Sequence, residues 1–438
     1  MPTISYHTLG CKVNQYETAA IRRVLESAGF LTVAFGQPSD ACVINTCSVT
    51  GIADSKSRAA VRRARRANPD AFVIVTGCYA QLEPDEATRN AEGCIVVPND
   101  EKDTIPDLIT ARLAPSTSTE RRSSNSPSPC RGGLGRGHSA VATAPTPRTR
   151  TRAVVKVQDG CDNFCSYCII PFARPVMTSR PLPDVLQELS YLAEIGYREI
   201  VLTGIRLGSY RSGDVGLAGL VREVCEIDGI KRVRLSSIEP WEVDEPLLEA
   251  MCHPKVCRHL HIPLQSADDR VLSAMNRPYG RAEYLRVLDS VRAWVPDIGI
   301  TTDIIVGFPG EDDEAFENTL RAVDQAGFSR VHVFRFSARK RTRAASMPGH
   351  VPEPVKKRRA TVLSQAALAS QVRFAESFVG KVLPVLVERR RSDSGKLTGY
   401  TDNYIEAIFD GPSTLVGAVV NVRITRVTAD GEAEGEVV

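Results

Sequence analysis

An alternation of short apolar runs with amphipathic stretches restricts this chain more than any other feature. From Ala153 onward "AVVKVQ", "EIVLTG", "VRLSS", "HLHIPLQ", "ITTDIIVGF" and "RVHVFRF" follow one another. Helical periodicity lies between them, as over Pro183 to Ile195 and Asp312 to Ala326. Parallel strands need crossover connections, so short buried strands separated by helices predict a parallel sheet. Six βα repeats in about 190 residues are too few for a closed eight-fold barrel and predict a partial one.

The N-terminal segment repeats the theme. "TISYHTL", "ACVINT", "AFVIVTG" and "GCIVVP" read as strands, with a helix from about Gln15 to Ala28 closed by Gly29 and a basic helix from Asp54 to Ala67. A long helix is expected from Glu353 to Phe378. After Gly380 the pattern turns all-β ("VLPVLVERR", "LTGYTDNYIEAIF", "VVNVRITRVT", "EAEGEVV"), which predicts a small barrel of the oligonucleotide-binding kind. The Ser-, Thr-, Pro-, Gly- and Arg-rich stretch 115–150 is expected to be a disordered linker, with Cys130 incidental to it. The expected division is therefore 1–114, a parallel α/β domain; 115–150, linker; 151–376, a partial (β/α)6 barrel; and 377–438, a small all-β barrel.

Composition sets the compartment and bounds the partners. With no 18-residue apolar run and no signal-peptide core, a cytoplasmic protein without a membrane partner is expected. Twelve cysteines in a reducing compartment argue for metal or redox chemistry over a disulfide framework. The net charge of +3 says little by itself. Between Arg335 and Arg359, however, nine basic residues face only Glu353, and Arg389-Arg390-Arg391 follow. Such a flank suits a phosphate backbone, and equally a solvated helix entry.

"GCDNFCSYC" places Cys161, Cys165 and Cys168 directly after the first strand of the partial barrel, at the end where such barrels hold their chemistry. Zinc sites pair two C-x-x-C halves or add histidines, and no such partner lies nearby in the sequence. Closely spaced thiolates suit an iron–sulfur cubane, in which three protein ligands leave one iron open. A second set stands in the N-terminal segment, where Cys11, Cys47 and Cys78 each follow the carboxyl end of an expected strand. Neighbouring parallel strands lie about 5 Å apart, so these thiols would meet on one rim. On the residues alone, a second ligand set and three half-buried structural thiols both fit. Cys42 and Cys94 read as core thiols, and Cys225, Cys252 and Cys257 match no ligand position. "CHPKVCRHLH" is a weak zinc candidate.

The Cys-x3-Cys-x2-Cys spacing with Tyr167 before the last cysteine resembles the radical S-adenosylmethionine (SAM) superfamily. The resemblance implies that SAM itself takes the open iron and is cleaved reductively to methionine and a 5′-deoxyadenosyl radical. Thr203 and Gly204 would contact the SAM amino group, and "IIVGFPGE", with Gly307, would pack on the adenine. Ser237, Glu239 and Gln265 end neighbouring strands and would line the same mouth. Across the chain "TLGCKVNQYET", "VINTCSVT", "VTGCYAQ", "GCDNFCSYCIIPFAR", "HIPLQS", "GFPGE" and "LTGYTDNY" are similar to the methylthiotransferases, most of all to the threonylcarbamoyladenosine tRNA branch.

That likeness implies two 4Fe–4S clusters, one on Cys161, Cys165 and Cys168 and an auxiliary one on Cys11, Cys47 and Cys78. It also implies a terminal TRAM domain and methylthiolation of carbon 2 of the modified adenosine at tRNA position 37. The implied partners are the tRNA anticodon loop and a reducing donor such as flavodoxin or ferredoxin, with no DNA. No catalytic side chain beyond the cluster ligands is assigned. Tyr400 and Tyr404 could stack on RNA or serve as barrel core. Pro175, Ala267 and the basic "FSARKRTRAA" depart from the family pattern. Isopentenyladenosine in tRNA or a ribosomal-protein aspartate is an alternative substrate, and a non-enzymatic iron–sulfur RNA-binding protein is the alternative of another class.

Overall fold

The computed structural model describes residues 1–89, 93–113, 151–391 and 394–438; the expected linker, with Cys130, lies outside them. The chain forms two compact units. One gathers Met1–Leu9, Glu17–Thr46 and the described part of Lys56–Thr146; the other takes Gly10–Tyr16, Cys47–Ser55 and the described part of Pro147–Val438.

The first unit is a parallel sheet of β1 (Thr3–Thr8), β2 (Leu31–Val33), β3 (Ala41–Thr46), β4 (Phe72–Gly77) and β5 (Ile95–Val96), in the order β2-β1-β3-β4-β5. The edge strand Leu31–Val33 is absent from the sequence reading because three half-exposed residues carry no periodicity. β3 is buried along its whole length, as a central parallel strand must be. Ile21, Leu25 and Phe30 cover one face with Ile4, Val43 and Ile74, while Val61 and Ala64 cover Ile44, Val73 and Val75 on the other. Helices α1 (Lys12–Ser27) and α2 (Gly51–Ala67) each begin three residues before the expected start. Their first turns carry no apolar stripe to announce them.

In the second unit β6 (Arg152–Lys156), β7 (Glu199–Thr203), β8 (Arg232–Leu235), β9 (His259–His261), β10 (Gly299–Val306) and β11 (Arg330–Arg335) run parallel in chain order. Two three-stranded ladders meet through a parallel bridge between Ser237 and His261, giving the expected partial barrel. Strand alternation divides the residues between two faces. Val155, Leu202, Val233, Leu260, Ile300 and Val333 pack outward with helices α3 (Leu182–Glu194), α4 (Leu217–Cys225), α5 (Arg281–Trp294), α6 (Asp313–Ala326) and α7 (Glu353–Glu376). The inward face carries Arg152, Glu199, Arg232, Arg234, His259, His261, Thr301, Asp303 and His332. A packed barrel lumen is normally filled by branched apolar side chains, so this one is set apart by its charge.

The C-terminal residues close a five-stranded barrel from β12 (Val382–Arg390), β13 (Leu397–Thr401), β14 (Glu406–Phe409), β15 (Val419–Val427) and β16 (Ala433–Val437). "LTGYTDNYIEAIF" is two strands: the backbone turns at Tyr404, φ +71°, and the Thr401 hydroxyl accepts from the Ile405 N–H at 2.8 Å. That turn docks on the amino-terminal end of β8. Arg234 donates to the carbonyls of Asp402 (3.0 Å) and Thr401 (3.1 Å), Arg232 to that of Tyr400 (3.1 Å), and Arg258 pairs with Asp402 at 2.7 Å. Tyr404 stacks on His259 with ring centroids 4.4 Å apart and on Tyr400 at 4.9 Å. Both tyrosines are half-buried and neither belongs to the apolar core of the terminal barrel; they pack where that barrel docks on the partial one. No described helix is long and apolar enough to cross a membrane.

Candidate cluster and SAM site

The cysteine loop leaves β6 through two unusual backbone positions. Gly160 has φ +81°, and a Cβ there would lie 2.1 Å from the Val176 carbonyl oxygen, so only glycine fits. Phe164 takes φ +45°. The loop is then tied down from outside. Ser166 accepts Ala344 N–H and donates to the Met275 and Ala274 carbonyls, while Asn276 donates to the carbonyls of Asn163 and Phe164. Cys161 N–H bonds the Arg174 carbonyl at 3.3 Å, and Cys168 N–H that of Cys165 at 2.9 Å.

Arg277 is the residue the sequence reading missed. Its Nη1 lies 3.4 Å from Cys165 Sγ, and Nη1 and Nη2 grip both oxygens of Glu239. Its Nε donates to Tyr279 at 3.1 Å, and the guanidinium lies over the Trp241 ring at 4.8 Å. The only hint in the sequence was an arginine just past the helix that follows "PLQS", and spacing does not reveal such a contact.

Thiol chemistry fits an iron–sulfur cluster at this loop. Burial pushes Cys168 up to about 12, helped by the neighbouring Cys165, and burial also raises Cys161. Such thiols become thiolates only against a cationic centre. The Arg277 N–H on Cys165 is the kind of hydrogen bond to sulfur that stabilises and tunes a cluster. Among the described residues no triple of cysteine ligand atoms comes within 4.8 Å, as a single-ion site would require. A cubane, which places each thiolate on a different iron, does not require it.

The expected SAM-pocket residues all stand at the carboxyl ends of the barrel strands. Thr203 is buried at the end of β7. A Cβ on Gly204 would lie 2.8 Å from Gln158 Oε1. That Gln158 amide joins β6 to the next loop by donating to the Asp159 and Gly160 carbonyls and accepting from Arg206 N–H at 2.8 Å. Ser237 is exposed. Glu239 is the one expected pocket residue linked to the cysteines, through Arg277. Gln265, at φ +65°, bonds Asp303 O and Ile305 N–H through its own backbone and pins β9 to β10. Gly307 donates to Glu311 Oε1 at 2.9 Å, and Arg359 holds the same oxygen at 2.7 Å, which makes the glutamate of "GFPGE" a clamp on α7. Of the departures from the family pattern, Pro175 is exposed and Ala267 is absorbed into the core, with its N–H on Thr319 at 3.2 Å.

At the other cysteines, the register pairs Thr46 with Gly77, so Cys47 and Cys78 each follow directly on a paired strand end. Gly10 packs against Cys47, whose Sγ would lie 2.8 Å from an added Cβ. Cys11 is exposed, and Cys47 and Cys78 are buried. Cys42 is a core thiol, and burial pushes it and the half-buried Cys94 up to about 11. Cys225 and Cys257 are buried and Cys252 exposed. The described residues that do cluster at metal-ligand spacing are His261, Asp303 and His332; His261 closes the stretch singled out as a weak zinc candidate, but its neighbours in the cluster are Asp303 and His332 from the next two strands and not the cysteines of that stretch.

Family models match three stretches: the Radical SAM superfamily over residues 155–323, Uncharacterized protein family UPF0004 over 3–97, and the TRAM domain over 376–438. The chain is 38% identical over 435 residues to the threonylcarbamoyladenosine tRNA methylthiotransferase MtaB of Bacillus subtilis, covering 97% of this chain and 94% of that protein. It is 39% identical to the protein of the same name from Thermotoga maritima, with coverage of 98% and 96%. It is 32% identical to the tRNA-2-methylthio-N(6)-dimethylallyladenosine synthase of Thermodesulfovibrio yellowstonii, with coverage of 98% and 97%. Among solved structures, the radical S-adenosylmethionine methyltransferase TsrM from Kitasatospora setae, with cobalamin and a 4Fe–4S cluster bound, superposes with a TM-score of 0.53 at 17% identity. The match covers 76% of this chain and 75% of that one and shows the shared fold.

Proposed function

Because this chain belongs to the radical SAM methylthiotransferases, we propose that it attaches a methylthio group to carbon 2 of N6-threonylcarbamoyladenosine at tRNA position 37. The observation that carries the substrate is the 38% identity, over nearly both full lengths, to a relative named for that reaction. In this reading residues 1–114 and 151–376 are the two cluster-bearing domains and 377–438 the tRNA-binding TRAM domain. Cys161, Cys165 and Cys168 hold a 4Fe–4S cluster with SAM, and Cys11, Cys47 and Cys78, at adjacent strand ends, hold a second. When bound, the clusters supply one-electron chemistry on SAM, which breaks an aromatic C–H bond that no side-chain acid or base could activate.

The chain's own residues supply position and exclusion of water. Gly160 and the Ser166 and Asn276 ties fix the thiols. Arg277 donates to one sulfur and holds Glu239 at the rim. Thr203, Gly204, Ser237, Glu239, Gln265 and Gly307 surround the SAM position at the strand ends. The target base lies in a single-stranded loop and can be splayed into the lumen at modest cost. The exposed Lys340 and Arg343 of the basic stretch and the terminal barrel grip the phosphate backbone. A low-potential donor of the flavodoxin or ferredoxin type delivers the electron, and the reaction is assigned to the cytoplasm.

The test is an anaerobic assay of reconstituted protein with SAM, reductant and tRNA bearing threonylcarbamoyladenosine, read by nucleoside mass spectrometry. Formation of the methylthio nucleoside is expected. Equal activity on tRNA lacking the threonylcarbamoyl group, or activity only on isopentenyladenosine, would overturn the substrate. Reduction without any SAM cleavage would favour a binding protein.

A further inference from the structure

We propose that His261, Asp303 and His332 hold a divalent first-row transition ion at the mouth of the partial barrel, apart from both sets of cysteines. The three residues come from the successive strands β9, β10 and β11, and their ligand atoms all lie within 4.8 Å of one another. Strand pairing brings them together. His261 stands opposite Thr301, and two residues further along β10 Asp303 stands opposite His332. Partners in register on parallel strands, and residues two apart on one strand, share a face. The cluster is therefore set by the register of three strands and does not depend on a loop.

His261 and Asp303 are spaced as ligands and not as a hydrogen-bonded pair. Nε2 of His261 lies 3.3 Å from an Asp303 carboxylate oxygen, longer than the roughly 2.7–2.9 Å of a charge-assisted hydrogen bond. Tetrahedral ligands about 2.1 Å from a zinc ion stand about 3.4 Å apart. The other nitrogen of His261 is held from behind, where Nδ1 meets the buried Thr301 hydroxyl at 2.9 Å. An oxygen partner there fixes the ring and leaves Nε2 to the metal, as at histidine–metal sites generally. Among the described residues Asp303 pairs with no lysine or arginine, and His332 makes no hydrogen bond or ion pair. His332 is exposed, with its ring 5.8 Å from that of His261, so its side chain has room to close on an ion. The arginines of the lumen are neutralised elsewhere, Arg152 by Glu388 and Arg232 and Arg234 by Glu199. The Asp303 charge is left for a cation.

Two imidazoles and one carboxylate favour zinc, iron(II) or manganese(II) over magnesium and calcium, which take oxygen ligands. Three protein ligands leave a coordination position open, the pattern of catalytic zinc and not of structural zinc. His261 bridges to Ser237, one of the proposed SAM-pocket residues, which puts the ion at the same mouth. There its open position takes water or, if the reaction is the one proposed above, an oxygen of the N6 substituent.

The test titrates the reconstituted full chain, its cysteines occupied by iron, with Mn2+ alone and follows the free ion by electron paramagnetic resonance. Manganese is the probe because thiolates bind it poorly. Wild type should bind one equivalent. Asp303→Asn and His332→Gln should each weaken binding by about 100-fold and Thr301→Val by about tenfold, with iron content unchanged. His332→Asp restores a ligand without the ring and should recover manganese binding, which a merely structural histidine would not allow. Because His332 is exposed, its variants keep the test valid if Asp303→Asn fails to fold. A wild type that binds no ion beyond its iron, or variants that bind Mn2+ as tightly as wild type, would overturn the proposal. The titration uses neither SAM nor tRNA, so its failure leaves the reaction assignment standing, and failure of the reaction leaves the metal site standing.

Discussion

The guanidinium of Arg277 lies 3.4 Å from the Cys165 sulfur and holds the Glu239 carboxylate in the same grip. One side chain thereby couples the cysteine loop to the end of β8. Its own exposure is 1%, so its charge is stabilised wholly by these partners. Arg277→Met would leave Glu239 uncompensated. A loss of about 3–5 kcal/mol in urea unfolding is expected, together with slower SAM cleavage. Arg277→Lys should restore the charge without the fork and recover only part of either. Unchanged stability and cleavage in the methionine variant would contradict this account.

Glu199 tests the base of the lumen. Burial alone would raise its pKa, but Arg234 and Arg232 outweigh it and bring it from 4.5 to about 2. Because the folded value is depressed, the stabilisation is complete above the unfolded value. It is lost as pH falls from about 4.5 toward 2. Glu199→Gln should therefore destabilise by about 3 kcal/mol at pH 7, and the gap from wild type should narrow as pH drops through that window. Urea midpoints of both proteins measured from pH 7 to pH 3 check this. A constant gap would contradict it.

At Gly160 the constraint is steric. A Cβ 2.1 Å from a backbone oxygen cannot be relieved by a flexible neighbour, and φ +81° adds strain. Gly160→Ala should distort the loop, so that iron analysis after reconstitution shows about half the wild-type content, the remainder on the second site. Cys161→Ala should likewise abolish deoxyadenosine formation while keeping that remainder. Full iron with full SAM cleavage in Gly160→Ala would contradict the loop assignment.

Much of this architecture was readable in advance. Strand and helix alternate with the right periods, and the three cysteines of 161–168 follow β6 as expected. The contacts that hold the site were not readable. Arg277 comes from a segment more than 100 residues beyond Cys165. His261, Asp303 and His332 each occupy an ordinary inward position and become a cluster only when three strands pair. Tyr404 could equally have been a surface ring, and one left-handed residue at the turn decides that it packs inward.

Tyr404 supplies a further prediction. Stacked on His259 at 4.4 Å and beneath Arg234 at 5.0 Å, it belongs to the docking of the terminal barrel. Tyr404→Ala should cost about 3 kcal/mol of stability. It should leave tRNA affinity nearly unchanged, where loss of a base-stacking surface would cost about 1–3 kcal/mol of binding. Filter binding alongside thermal unfolding separates the two. Weakened binding without loss of stability would restore the tyrosine to the RNA surface.

The central claim is the reaction itself, and nucleoside mass spectrometry of total tRNA from cells with and without this gene tests it most directly. The account predicts that deletion removes 2-methylthio-N6-threonylcarbamoyladenosine, that its unthiolated parent accumulates, and that the isopentenyl counterpart is untouched. Persistence of the methylthio nucleoside in the deletion strain, or loss of the isopentenyl form in its place, would contradict it.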